Sequence, residues 1–268
     1  ALKIKNKAEA DKIVNTMNNN KVELVVSEHS NKKRVRKPAP PFITSTLQQA
    51  ASNSFGWGAK KTMSVAQSIF SQGLITYHRT DSIRVDPQKI TDVRTRVENA
   101  HGKKYLSSAV IQYGPKGGSQ DAHEAIRPTD ITVVPSEIKE YLEKDMFRLY
   151  ELIWSRSVSC QMVPAILDTT TFDIRAGQYL FRSNGSIVKF SGFMQVYVES
   201  DDDESSEQES KQGDRILPAL NKGEKIKVLD VDPEQHFTQP PPRFSEAMPV
   251  AYTHPRPHDT EIHRAFRP

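Results

Sequence analysis

The hydrophobic positions of this chain change period three times, and each change predicts a different kind of element. Residues 21–28, KVELVVSE, alternate apolar and polar side chains as a half-buried strand does. The segment NKKRVRKPAPPF follows, a basic run broken by prolines, which reads as a connection and a boundary. Apolar residues then recur at helical spacing. Ser45 with Gln48 three positions on predicts a capping box, and LQQAASNSF continues a helix that begins near Thr44 or Ser45. A second helix is predicted over 60–72, stopped by Gly73 in a left-handed cap. Asp86 and Pro87 supply the N-cap and first turn of a third, whose Ile90, Val93 and Val97 share one face before Gly102. Ser136 opens further helical sequence to about Met162, with Leu149, Leu152, Ile153 and Trp154 as core candidates.

From Pro164 the period shortens again. Threonine, β-branched and aromatic residues dominate ILDTTTFDIRAGQYLFRSNGSIVKFSGFMQVYVES, and Asn184-Gly185 predicts a hairpin turn between YLFRS and SIVKF. DRILPAL and EKIKVLDVD are strand-like as well. Between them lies ESDDDESSEQE, too polar to bury and read as a mobile hairpin tip. Beyond Pro249 no periodicity remains, and four prolines with three histidines and three arginines predict a disordered tail. His254, His258 and His263 are spaced too loosely to favour a metal site. The expectation is therefore an α+β protein, β-like at both ends and helical between.

Charge refines this picture. The chain of 268 residues carries a net +4, but residues 199–209 hold seven of its 33 acidic groups, leaving 26 acids against 37 Lys and Arg, or +11, elsewhere. A positive body suits a polyanion such as nucleic acid, although many basic proteins bind none. No apolar run approaches the roughly 20 residues of a membrane span, and the first residues lack a signal-peptide core, so a cytoplasmic protein without membrane contact is expected. The single cysteine, Cys160, offers neither a disulfide nor a cysteine metal site and reads as a small core residue.

Two clusters carry candidate chemistry. In LITYHRTDSIRVD, residues 74–86, an extended backbone would place Ile75, Tyr77 and Arg79 on one face and Leu74, Thr76 and His78 on the other. A protonated phenol, with a pKa near 10, is a poor nucleophile; a neighbouring guanidinium can hold a phosphate oxygen and favour the phenolate. Tyr77 and Arg79 thus suit phosphodiester cleavage. The competing reading makes Tyr77 a half-buried strand residue and Arg79 with Asp81 a surface ion pair. In DAHEAIRPTD, residues 121–130, His123 can hydrogen-bond a phosphate or move a proton, with Arg127 one helical turn on; a structural histidine at a helix terminus competes.

Together with FITSTLQQAAS, KKTMSVAQSIFSQGLITYHRTDS, AHEAIRPTD, LYELIWSRSVSCQM and HFTQPPPRFSEA in that order, these clusters resemble the type IA DNA topoisomerases, most of all their bacterial topoisomerase I branch. LITYHRTDS is also close to the reverse gyrase pattern. The resemblance covers about residues 1–247. It implies that Tyr77 is the nucleophile that breaks one DNA strand and becomes joined to its 5′ phosphate, that Arg79 contacts the scissile phosphate and that His123 lies near it. The liberated 3′ hydroxyl reverses the step without ATP. Ser45, Lys60, Lys61, Asp81 and Arg127 become candidates for the DNA groove or for supporting the tyrosine loop. At Phe70 relatives often carry tyrosine, and the missing hydroxyl puts a polar role there in doubt.

The resemblance also implies a fold: a helical tyrosine-bearing domain, 38–163, inserted in a β-rich arch formed by 1–37 and 164–247, with an acidic loop at 199–211 and a disordered or non-native tail at 248–268. The partner would be DNA, mainly single-stranded, and the protein a monomer. Mg²⁺ would be the cofactor, held by acidic residues of an N-terminal domain absent from this sequence, so no metal ligand is expected here and the fragment alone should be a poor catalyst. A tyrosine recombinase would place its arginines and histidine ahead of the tyrosine, whereas His123 follows Tyr77, and a relaxase would want a His-x-His pair, which is missing. A non-catalytic module that binds single strands remains the rival from another class.

Overall fold

The computed structural model describes residues 4, 6–18, 22–113, 123–198 and 217–235. The chain is α+β, with a four-stranded sheet and a set of packed helices. It divides into two compact units. One comprises the described residues of Ala1–Val35, Ile166–Phe190 and Glu204–Pro241; the other those of Arg36–Ala165, Ser191–Asp203 and Pro242–Pro268. The acidic run at 199–209, the expected tail at 248–268 and its three histidines lie outside the described residues.

In the first unit a helix without a counterpart in the sequence reading, α1 (Lys7–Asn18), precedes strand β1 (Leu24–Arg36). β1 runs well past the alternating KVELVVSE and takes in most of the basic stretch expected to be a connection. The reason is burial: only Val26 is fully enclosed, while residues 28–35 are exposed, so both faces accept polar side chains and alternation fades. Strands β2 (Ala165–Ala176) and β3 (Tyr179–Phe190) form an antiparallel hairpin, and β4 (Lys225–Ile226) pairs antiparallel with β1, giving the order β3-β2-β1-β4.

The hairpin turns at Gly177-Gln178 instead of Asn184-Gly185, which sit inside β3 opposite Thr171 and Thr170. Gly177 has φ +59°, at the first central position of a two-residue loop, where glycine suits the mirror-image turns. Cross-strand pairing fixes this register: Arg182 donates twice to the Asp173 carboxylate, at 2.7 and 2.9 Å, and holds its pKa below the usual range. An Asn-Gly turn would break that pair. Residues 217–220 of DRILPAL form no strand, and EKIKVLDVD contributes only β4.

The second unit is built on α2 (Thr44–Phe55), α3 (Ala59–Ser71), α4 (Pro87–His101), a short α5 (Pro135–Ile138) and α6 (Lys144–Ser159). α3 packs on α2 and α6, and α4 on α6. The cap of α2 differs from expectation: Ile43 is the N-cap, and its N–H donates to the Thr46 hydroxyl at 3.0 Å, so Ser45 and Gln48 form no box. α4 follows its signals, with Gln88 N–H donating to Asp86 at 2.8 Å, Pro87 in the first turn, and Ile90, Val93 and Val97 buried. In α6, Leu149, Ile153 and Trp154 are buried and Leu152 half-buried. Tyr150 and Trp154 enter the core because each finds an acceptor, Val133 O at 2.8 Å and Ile131 O at 3.1 Å. Cys160 lies just past the helix; burial pushes its thiol up to about 12, so it is an unreactive core residue. Arg156 is also buried, with its Nε on Pro40 O at 2.7 Å and its guanidinium over the rings of Phe42 and Tyr197.

Among the described glycines of this unit, Gly192 leaves the least room for a side chain. Its φ is +49°, and a Cβ there would lie 2.4 Å from the carbonyl oxygen of Pro164. Gly192→Ala combines left-handed strain with overpacking and should cost at least about 2 kcal/mol in a denaturation experiment. A loss below about 0.5 kcal/mol would mean that the turn simply yields.

Candidate functional site

α3 ends at a left-handed Gly73, φ +73°, and the chain then enters the segment of interest. Residues 74–86 are not a strand. Their only bridge joins Ile75 to Pro128. Ile75 is buried and Tyr77 is 45% exposed, so the two do not share a face. Alternation sets in from Tyr77 onward: Tyr77, Arg79 and Asp81 are exposed while His78, Thr80 and Ser82 are buried. The phase is set by hydrogen bonds to distant segments. Thr76 donates its N–H to Arg127 O at 2.9 Å and its hydroxyl to Ala125 O at 2.7 Å, and accepts from Arg127 N at 3.0 Å. Two and four residues on, Thr44 of α2 grips His78 and Thr80 through contacts of 2.9 Å to their backbone. Tyr77 therefore projects from a short span clamped at both ends.

The phenol stands in a ring cluster. Phe70, the second-to-last residue of α3, meets it edge-on at 5.5 Å between centroids; His78 lies at 5.3 Å and His123 at 6.5 Å. His123 is exposed and shares the neighbourhood of Tyr77. Arg79 is exposed, and among the described residues no ion pair joins it to Asp81 or to any other carboxylate, which removes the surface-pair reading of these two. His78 is fully buried against Phe70 and Tyr77, with no partner for either ring nitrogen among the described residues. Burial, and then the charge of Arg79, lower its pKa, so its imidazole is neutral.

The remaining candidates divide. Lys60 is exposed in the first turn of α3. Lys61 is already engaged by Asp145 at 2.7 Å and by the face of Trp57 at 4.5 Å. Arg127 does not lie one helical turn beyond His123, because residues 123–128 are extended and bridge to Phe42 and Ile75. Its guanidinium pairs with Glu124 at 2.6 Å and with Pro128 O at 2.9 Å, and its side chain is only 11% exposed, so it holds this segment in place. Ser45 is half-buried, but the α2 side chain that touches the tyrosine loop is its neighbour Thr44. Thr44, Thr76 and His78 are the supports that sequence reasoning missed. The two threonine contacts span 34 and 49 positions or more, and local pattern carries no signal of them.

Among the described residues no group of three or more His, Cys, Asp or Glu side chains could hold a metal ion, so the described residues do not fit a Mg²⁺ centre. No described helix is long and apolar enough to cross a membrane. What the arrangement offers is an accessible hydroxyl, a guanidinium two residues away with no ion pair among the described residues, and an exposed imidazole near the phenol ring.

A family model described as DNA topoisomerase matches residues 1–251 of the chain. Among solved structures, the full-length topoisomerase I of Thermotoga maritima is similar to it, with 29% identity and a TM-score of 0.73. The match covers 94% of this chain and 40% of that one.

Proposed function

The chain belongs to the type IA DNA topoisomerase family, and from that premise we propose that it carries the strand-breaking half of such an enzyme, acting on single-stranded DNA. The Tyr77 oxygen gives up its proton and attacks a backbone phosphorus; the new phenolic O–P bond forms as the bond to the 3′ oxygen breaks, and that oxygen takes up the equivalent of the phenol's proton and leaves as a hydroxyl. The downstream strand stays on Tyr77 through its 5′ phosphate. One phosphoester replaces another, so the reverse attack reseals the strand without ATP and relaxes supercoils once another strand has passed. Arg79 holds the charge that develops on the phosphate, and His123 hydrogen-bonds or transfers a proton beside it. Lys60, Asp81 and Ser45 line the approach, while Arg127 supports the segment that carries His123.

The observation that carries this reading is Tyr77, exposed and clamped on both sides, with His123 against its ring. Mg²⁺, when bound by carboxylates supplied from outside this chain, would stabilise the attacking and leaving oxygens. The helical segment 38–163 would then sit in an arch made of 1–37 and 164–247, which lets the two ends of the broken strand part.

The test uses single-stranded oligonucleotides labelled at either end, with Mg²⁺, in the presence and absence of a type IA metal-binding domain. With that domain, denaturation should leave the 3′-labelled piece attached to protein. A 5′-labelled adduct would overturn the mechanism, and efficient cleavage by the chain alone would overturn the view that it holds half the site.

A further inference from the structure

One hydroxyl on α2 bonds the backbone on both sides of Arg79. The carbonyl of His78 lies 2.9 Å from Thr44 Oγ1, and the amide of Thr80 donates to the same oxygen at 2.9 Å. Thr44 Oγ1 is also 3.1 Å from the carbonyl of Thr80, which accepts the Thr44 N–H at 2.9 Å. A hydroxyl has a single proton to give, and the shorter contact, to the His78 carbonyl, is the better acceptor for it. The carbonyl belongs to the 78–79 peptide and the amide to the 79–80 peptide. Both peptide planes that meet at the Cα of Arg79 are therefore held by the same atom, and the direction of the Cα–Cβ bond follows from them.

Nothing else described holds this side chain. Arg79 is exposed and has no ion pair among the described residues, so its backbone is what fixes the point and direction from which the side chain starts. The backbone is in turn seated on an ordered helix: Thr44 occupies the first turn of α2, and Leu47, one turn along, is fully buried.

We propose that Thr44 is a positioning residue of the tyrosine site, which sets the aim of Arg79 at the phosphate. This rests on the reading of Arg79 as a phosphate contact. Thr44→Val keeps the shape and removes both hydroxyl bonds. It should slow adduct formation about 10- to 100-fold, the scale on which a misplacement near 1 Å acts. Thr44→Ser keeps the oxygen and should restore the rate to within about threefold, which a loss through packing alone would not do.

The deciding comparison is made in an Arg79→Ala background. If Thr44 acts through Arg79, adding Thr44→Val there changes the rate by less than about threefold. If Thr44→Val slows Arg79→Ala as much as it slows the unsubstituted protein, the proposal is wrong. Binding of a single-stranded oligonucleotide to the chain gives an arm that needs no cleavage. Thr44→Val should weaken affinity, by no more than Arg79→Ala does, and the double variant should bind no worse than Arg79→Ala alone. An unsubstituted protein that binds DNA yet forms no adduct even with Mg²⁺ and a type IA metal-binding domain present would sink the reading of Tyr77 and leave this arm standing. An affinity unchanged by Thr44→Val but lowered by Arg79→Ala would sink the positioning role alone.

Discussion

Tyr77→Phe is expected to abolish the covalent DNA adduct while leaving the fold and the affinity for single strands in place. The ring contacts that seat Tyr77, to Phe70 at 5.5 Å, His78 at 5.3 Å and His123 at 6.5 Å, are contacts of its aromatic face and edge, which phenylalanine keeps. Only the hydroxyl is lost, from a side chain 45% exposed, so stability should change by less than about 1 kcal/mol. Chemistry responds differently. Without the phenolic oxygen no nucleophile remains to make the ester bond, and adduct yield should fall by at least about 10³-fold. Gel separation after denaturation reads the adduct, and fluorescence anisotropy reads the affinity. An adduct that survives the substitution would show that another side chain attacks.

The division between what was legible in the sequence and what was not follows the range of the interactions involved. Asp86-Pro87, the apolar face at 90, 93 and 97 and the glycine at 73 act within one turn of their own helices, so their local pattern sufficed. The Asn-Gly pair at 184–185 misled because a turn signal competes with register. Eleven cross-strand pairs between β2 and β3, with Arg182 on Asp173 among them, outweigh the preference of two residues. β1 was cut short for a related reason, since a strand exposed on both faces over 28–35 has no period to detect.

The site shows the same division. Tyr77, Arg79 and His123 stand out because a phenol, a guanidinium and an imidazole beside a phosphate make chemical sense as types. Thr44 and Thr76 carry no such label. They act as anchors because the fold brings residues 43–44 and 125–127 onto the two sides of Tyr77, and only the backbone partners reveal it. The buried His78 is the least legible of all: a polar ring in an apolar seat contradicts pattern, and it appears where Tyr77 and Phe70 leave it no route to water.

Arg79→Ala should reduce the rate of adduct formation by about 10²- to 10³-fold, the usual cost of removing a group aimed at transition-state charge. Arg79→Lys should recover part of this, because the charge returns but the planar fork that can bond two phosphate oxygens does not. The same substitution carries its own control for misfolding. Burial is the larger cause of the lowered pKa of His78 and the charge of Arg79 the smaller, so deleting that charge should move His78 part of the way back toward its ordinary value near 6.5. The sign is fixed: a nearby cation disfavours imidazolium, and removing it makes protonation easier. A full return to the ordinary value would mean that the ring had become solvated and the loop had opened, and the lost rate would then reflect structure. A partial rise with a large loss of rate leaves the loop closed and assigns that loss to the missing guanidinium. Nuclear magnetic resonance of the His78 ring across pH, run beside the cleavage assay, separates the two; an Arg79→Ala protein that cleaves at the unsubstituted rate would remove Arg79 from the chemistry altogether.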